Sequence, residues 1–159
     1  MKTLFDLTLP LVIIGCGLMA GIFFTFSNFA IPALNQAKPA NAVSVMQAIN
    51  LTIVNPLFLL IFLGTPLASG ILIISALANW QTPQSGWVVA GSLIYLLGCL
   101  GVTVAFNIPL NNQLAQVSVQ PAEAEAAWRN YAVGWTRWNH IRTISAVLAL
   151  VLFTLALRA

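Results

Sequence analysis

The sequence predicts an all-α integral membrane protein, a four-helix bundle with short interfacial helices on the side opposite the chain ends. Three observations lead there. Only six Lys or Arg and three Asp or Glu occur in 159 residues, 6 % charged against about 25 % in an ordinary soluble domain. Apolar residues make up 60 % and the mean hydropathy is +0.93. The charges are also clustered: none falls between Asp6 and Lys38, between Lys38 and Glu123, or between Arg142 and Arg158. So few charges cannot cover a soluble globule of this size. They also exclude a disordered chain and a nucleic-acid binder.

A helix needs about 20 mostly apolar residues to cross the hydrocarbon core. The first uncharged stretch holds one span, Leu7 to Ile31. The second holds two, Pro56 to Ala78 and Trp87 to Asn107, parted by the polar stretch Asn79 to Gly86. The fourth runs from Trp138 to Leu157, with Arg142 one turn inside. The whole chain, 1–159, reads as a single membrane domain. Strands of a membrane barrel alternate polar and apolar residues, and Ala146 to Phe153 does not. Uniformly apolar runs satisfy their backbone as helices. Pro56 suits a first helical turn, where its missing N–H costs nothing. The first run continues through Phe23, Phe24 and Phe26, beyond the apolar core of a signal peptide. An uncleaved first helix is expected, although Ile13-Ile14-Gly15-Cys16 is close to a lipoprotein cleavage box.

Four crossings put both chain ends on one side, with Lys2 and Arg158. Lys38, Arg129 and Arg137 fall on the other, which leaves the orientation open. The plasma membrane of a bacterium is the expected location. Gly17 and Gly21 form a Gly-x-x-x-Gly pair on a face continuing through Phe24 to Asn28. Such a stripe lets helices approach closely in lipid, within the bundle or across a homo-oligomer seam. Gly64, Gly91, Gly98 and Gly101 offer further close approaches, and Cys16 and Cys99 read as small packing residues.

The side opposite the chain ends carries the polar side chains. Ala40 to Asn50 has a helical pattern with Val43, Met46, Gln47 and Asn50 on overlapping faces and lies in the interface. Asn55, just before Pro56, either caps the next helix or faces a pocket. Pro121 opens a helix whose first turns carry Glu123 and Glu125, where the helix dipole favours acids. Trp128, Tyr131, Trp135 and Trp138 then recur every three or four residues, as an interfacial belt or the wall of an aromatic pocket. Trp135, Asn139, Arg142 and Ala146 share one face. Arg142 either snorkels to the headgroups or turns inward to amides or to an anionic oxygen. His140 is the only histidine: a surface or packing residue, or a general base. With no acid in the neighbouring spans, it does not form a metal site.

Several segments resemble the anthrone-oxygenase-like family of small four-helix membrane proteins. They are Gly21 to Ser27, Met46 to Asn50, Asn55-Pro56-Leu57-Phe58, Phe106 to Asn111 and Trp135 to Arg142. The resemblance implies oxidation of anthrones to anthraquinones by molecular oxygen, with no bound cofactor. It carries no assigned catalytic residues. A site compatible with that chemistry takes His140 as base and Arg142, Asn139 and Asn50 as donors to the developing oxyanion. Trp135 and Trp138 stack on the rings, and Gln47 and Asn55 contribute to binding. The partners are then membrane lipid and a hydrophobic aromatic or quinone-type molecule. A non-catalytic scaffold or partner subunit is the competing class, and a small transporter the third.

Overall fold

A computed structural model describes residues 2–159, with the side chains of all but Lys2, Thr3, Pro121 and Ala122. The elements are helical throughout. Helix α1 (Lys2–Thr25) runs through a widened π-helical turn, Phe26–Ala30, into α2 (Ile31–Leu34). After a turn come α3 (Pro39–Thr52), α4 (Pro56–Ala78) and α5 (Ser85–Tyr95). Two more π-helical stretches, Leu96–Gly101 and Thr103–Asn107, lead into α6 (Ile108–Ala115), and α7 (Pro121–Arg158) closes the chain. Four helical rods are long and apolar enough to cross a membrane: Leu4–Leu34, Pro56–Ala78, Ser85–Ala115 and Glu123–Arg158. Their outer surfaces are apolar, with Leu60 70 % and Leu97 70 % exposed. Such surface is stable against lipid tails and costly in water.

The segment boundaries have local causes. Asn55 is extended, as a residue before proline prefers, and its Oδ1 accepts the Phe58 N–H at 3.1 Å. That caps α4 at the residue where the sequence starts the second span. Two hydroxyls at membrane depth in α4 bond back to their own helix, Thr65 to the Ile61 carbonyl at 2.8 Å and Ser69 to the Thr65 carbonyl at 2.8 Å. No water is needed to satisfy them.

The fourth span has no helix start of its own at Trp138. It is the second half of α7, whose 38 residues extend about 57 Å at 1.5 Å per residue, nearly twice the hydrocarbon thickness of about 30 Å. The aromatic stretch and the last span are one rod because no proline separates Trp128 from Trp138 and Gly134 keeps helical winding.

The core falls into two clusters. One fills the membrane bundle with Leu9, Val12, Met19, Tyr95, Cys99, Ala149 and Phe153, and reaches Ala76 and Ala156 near the chain ends. The other lies at the opposite side, where α3 and α6 pack Met46 and Leu114 against Trp128, Tyr131 and Trp135 of α7. Both chain ends thus lie beside the Asn79–Gln84 connection, as four crossings require.

Close helix approach uses different glycines from those the motif indicated. A Cβ on Gly98 would collide with Ser145 of α7, and one on Gly15 with Thr65 of α4. Gly17 and Gly21 have no neighbour within 4 Å of that position. The bundle packs through the adjacent face of α1, carrying Val12, Cys16, Met19 and Phe23, and the Gly-x-x-x-Gly stripe points away from it.

Candidate functional site

Between the two apolar clusters lies a polar layer centred on Arg142. Its side chain is buried, 6 % exposed, so it turns inward and does not snorkel. Nη1 donates to Thr103 Oγ1 at 3.2 Å and Nη2 to Asn139 Oδ1 at 2.6 Å. The guanidinium lies between two rings, with Cζ 4.3 Å from the Phe23 centroid and 5.0 Å from that of Trp135. A desolvated cation–π contact is worth about 2 kcal/mol, which offsets part of the cost of burying the charge.

Asn139 is fully buried and uses both ends of its amide. While Oδ1 holds Arg142, Nδ2 donates to the Phe23 carbonyl at 2.7 Å and to Ser27 Oγ at 2.6 Å. Thr103 Oγ1 donates to the Cys99 carbonyl at 2.7 Å, the Cys99 thiol to the Arg142 carbonyl at 3.4 Å, and Asn107 Nδ2 to the Trp135 carbonyl at 3.2 Å. Of the residues meeting α7 here, Phe23 belongs to α1, and Ser27, Cys99, Thr103 and Asn107 lie in the widened turns. π-Helical turns place an extra residue in the circuit and concentrate at functional sites.

Beside this layer is a cavity of about 190 Å³. Its wall is mostly apolar, with Phe23, Phe26, Phe58, Phe62 and Met46, and its polar members are Asn50, Thr103, Asn111, Trp135 and Arg142. Three buried nitrogens on these lining residues have no hydrogen-bond partner: Asn50 Nδ2, Trp135 Nε1 and Arg142 Nε. The chain contains three acidic side chains, none of them on this wall. The one salt bridge among the described residues is Glu125–Arg129, exposed and far along α7. Arg142 is therefore a buried cation with amide, hydroxyl and ring partners and no carboxylate.

The structure brings together Asn50, Trp135, Asn139 and Arg142 of the expected residues, and separates the other four. Gln47 ties α3 to the end of α6, donating to the Leu114 and Val117 carbonyls at 2.8 and 3.1 Å. Asn55 is the α4 cap, and is exposed. Trp138 leaves the seam to stack flat on Phe106, centroids 3.6 Å apart, so it does not line the cavity. His140 is exposed and faces an outer groove between α1–α2 and α7. Two residues before Arg142 on an α-helix means roughly 200° of rotation, so sequence neighbours point apart. No cluster of three or more metal-ligating His, Cys, Asp or Glu forms among the described residues.

Sequence reasoning did not find Phe23, Ser27, Thr103 or Asn107. Phe23 and Ser27 lie in the Gly21–Ser27 segment and Asn107 in the Phe106–Asn111 segment that carried the resemblance. Nothing in the sequence marks Thr103.

A helical membrane bundle with a buried, uncompensated arginine beside an apolar cavity is the class that fold and site define. The family model described as anthrone oxygenase matches residues 58–152, more than half of the chain and including Thr103, Asn107, Trp135, Asn139 and Arg142. The chain belongs to the anthrone oxygenase family. No curated protein and no solved structure matches it.

Proposed function

We propose that the cavity binds a hydrophobic aromatic molecule of the anthrone or phenol type and oxygenates it with molecular oxygen, without a bound cofactor. The observation that carries the reading is Arg142: a buried cation with no anion of its own, against a cavity whose lining residues hold three unpartnered N–H groups. An isolated buried charge is unstable by several kcal/mol. A ligand oxygen bearing negative charge relieves that instability.

The chemistry follows from this electrostatic bias. Loss of a proton from the CH₂ of an anthrone leaves an enolate whose charge sits on oxygen. The Arg142 guanidinium and the Asn50 and Trp135 N–H groups stabilise that anion, and the proton passes to water at the cavity mouth, since no acid or histidine lines the cavity. The enolate passes one electron to oxygen, the resulting radical and superoxide combine to a peroxide anion, which takes a proton back from water to become the hydroperoxide, and loss of water gives the ketone. One oxygen atom enters the product and the other leaves as water, so anthrone and oxygen give anthraquinone and water. A cavity of about 190 Å³ is slightly larger than the engineered cavity of about 150 Å³ that takes benzene. One ring sits inside it, and a fused polycycle extends through the mouth beside the exposed Val54.

The test uses the full chain in lipid nanodiscs with a tricyclic anthrone, following oxygen uptake and quinone absorbance. Wild type turns over above the buffer rate and Arg142→Met does not. Equal rates for the two proteins remove the oxygenase reading. Absence of ligand-induced change in Trp fluorescence in both removes the binding reading too. A non-catalytic scaffold predicts that second result.

A further inference from the structure

We infer a second site, separate from the cavity, that holds the headgroup of an anionic phospholipid. It is an open groove of about 770 Å³ between α1–α2 and α7. Two hydrogen bonds across it mark its ends: Asn139 to Ser27 at 2.6 Å, and Trp128 Nε1 to Asn35 Oδ1 at 2.9 Å. Between them Ile31, Pro32, Ala132 and Val133 form an apolar wall, with Val133 72 % exposed.

The charges along the groove are uneven. At the outer end Arg129 is engaged by Glu125 at 3.0 Å. At the other end Arg137 and His140 line the groove with no carboxylate beside them. Glu125 and Glu123 lie about 18 and 21 Å further along the α7 axis, at 1.5 Å per residue. Arg137 is exposed, with Cζ 5.9 Å from the Trp138 ring centroid.

Depth decides the occupant. A hydrocarbon crossing takes about 20 residues, and counting that far back from Arg158 reaches Trp138 and Asn139. Arg137 and His140 therefore stand where hydrocarbon gives way to phosphate, and the exposed Ile144 and Leu148 continue the α7 surface inward for acyl chains. A phosphodiester bearing a net negative headgroup matches an unpaired guanidinium there. A zwitterionic headgroup brings its own cation and gains less. Each basic residue near an anionic lipid surface strengthens association about fivefold.

The test is native mass spectrometry of the full chain in detergent with equimolar phosphatidylglycerol and phosphatidylcholine. Wild type favours the phosphatidylglycerol adduct about fivefold or more. Arg137→Gln falls toward parity and Arg137→Lys keeps the preference. Val133→Trp, which obstructs the groove at unchanged charge, lowers it, so the result does not rest on one variant folding. No preference in wild type, or a preference unchanged in both Arg137→Gln and Val133→Trp, overturns the proposal. Complete loss of the adduct to equimolar inorganic phosphate assigns the groove to free anions and overturns it as well.

Discussion

Asn139 Oδ1 lies 2.6 Å from Nη2 of Arg142, one turn further along the same helix. This pair connects the two halves of the molecule. Asn139 also fixes α1 through Phe23 and Ser27, and Arg142 fixes the chain between α5 and α6 through Thr103. Removing either partner leaves the other buried with unmet hydrogen-bonding capacity.

Asn139→Ala is expected to destabilise the protein by about 3 kcal/mol, the cost of breaking a buried charge-assisted contact. Asn139→Leu combined with Arg142→Met should lose less than the sum of the two single changes, because no charge is then stranded. Unfolding curves in detergent measure this. Strict additivity would show that the two side chains are not coupled.

Gly98→Ala forces a methyl group into Ser145 and should cost about 1–3 kcal/mol, as overpacking does. Ser145→Gly in the same chain relieves it. Gly17→Ala and Gly21→Ala meet open space and should leave the melting temperature of the monomer unchanged or raise it slightly, since alanine favours the helix over glycine. Equal sensitivity at all three glycines would contradict the packing described.

Asn50 and Asn55 are five residues apart and should respond oppositely. Asn50→Leu removes an unpartnered amide from the cavity wall, weakening binding of a phenolic ligand about tenfold at unchanged stability. Asn55→Ala removes the α4 cap, costing about 1 kcal/mol of stability at unchanged affinity. Tryptophan fluorescence titration and thermal melts of both variants separate the effects.

His140→Ala should retain ligand affinity and any oxygenation rate in detergent within about twofold, since its ring lies in the outer groove and exposed substitutions away from a site usually change energies by less than about 0.5 kcal/mol. Arg142→Lys should lose about tenfold or more. A lysine has no planar fork to hold Thr103 and Asn139 together while stacking between Phe23 and Trp135. A large His140→Ala defect with an active Arg142→Lys would reverse these assignments.

The fold was legible because hydrocarbon imposes a coarse rule that charge positions reveal. The uncharged gap between Lys38 and Glu123 reads as two spans because the polar stretch Asn79 to Gly86 parts it, and the Asn55-Pro56 pair marked where one begins. The site was half legible. Trp135, Asn139 and Arg142 recur on one helical face, so their company on α7 could be read by counting. The other walls could not. Thr103 is an ordinary threonine until the chain around it widens, and that widening depends on packing against α7. Gly17 and Gly21 do not pack within the bundle, because a motif reports that a helix can be approached, not which face its neighbours choose. Trp138 keeps helical spacing with Arg142, yet a flat stack with Phe106 draws its ring away from the cavity.

The widened turns have a consequence for how this polypeptide can change. A π-helical turn holds one residue more than an α-helical turn, so trimming a single residue from Leu96–Gly101 is absorbed by a return to ordinary winding. Thr103 and Asn107 would keep facing α7, whereas the same deletion within the regular winding of Pro56–Ala78 would swing everything downstream by about 100°. The widened turns are thus slack in the winding. A one-codon deletion in Leu96–Gly101 should be less damaging than one in Pro56–Ala78.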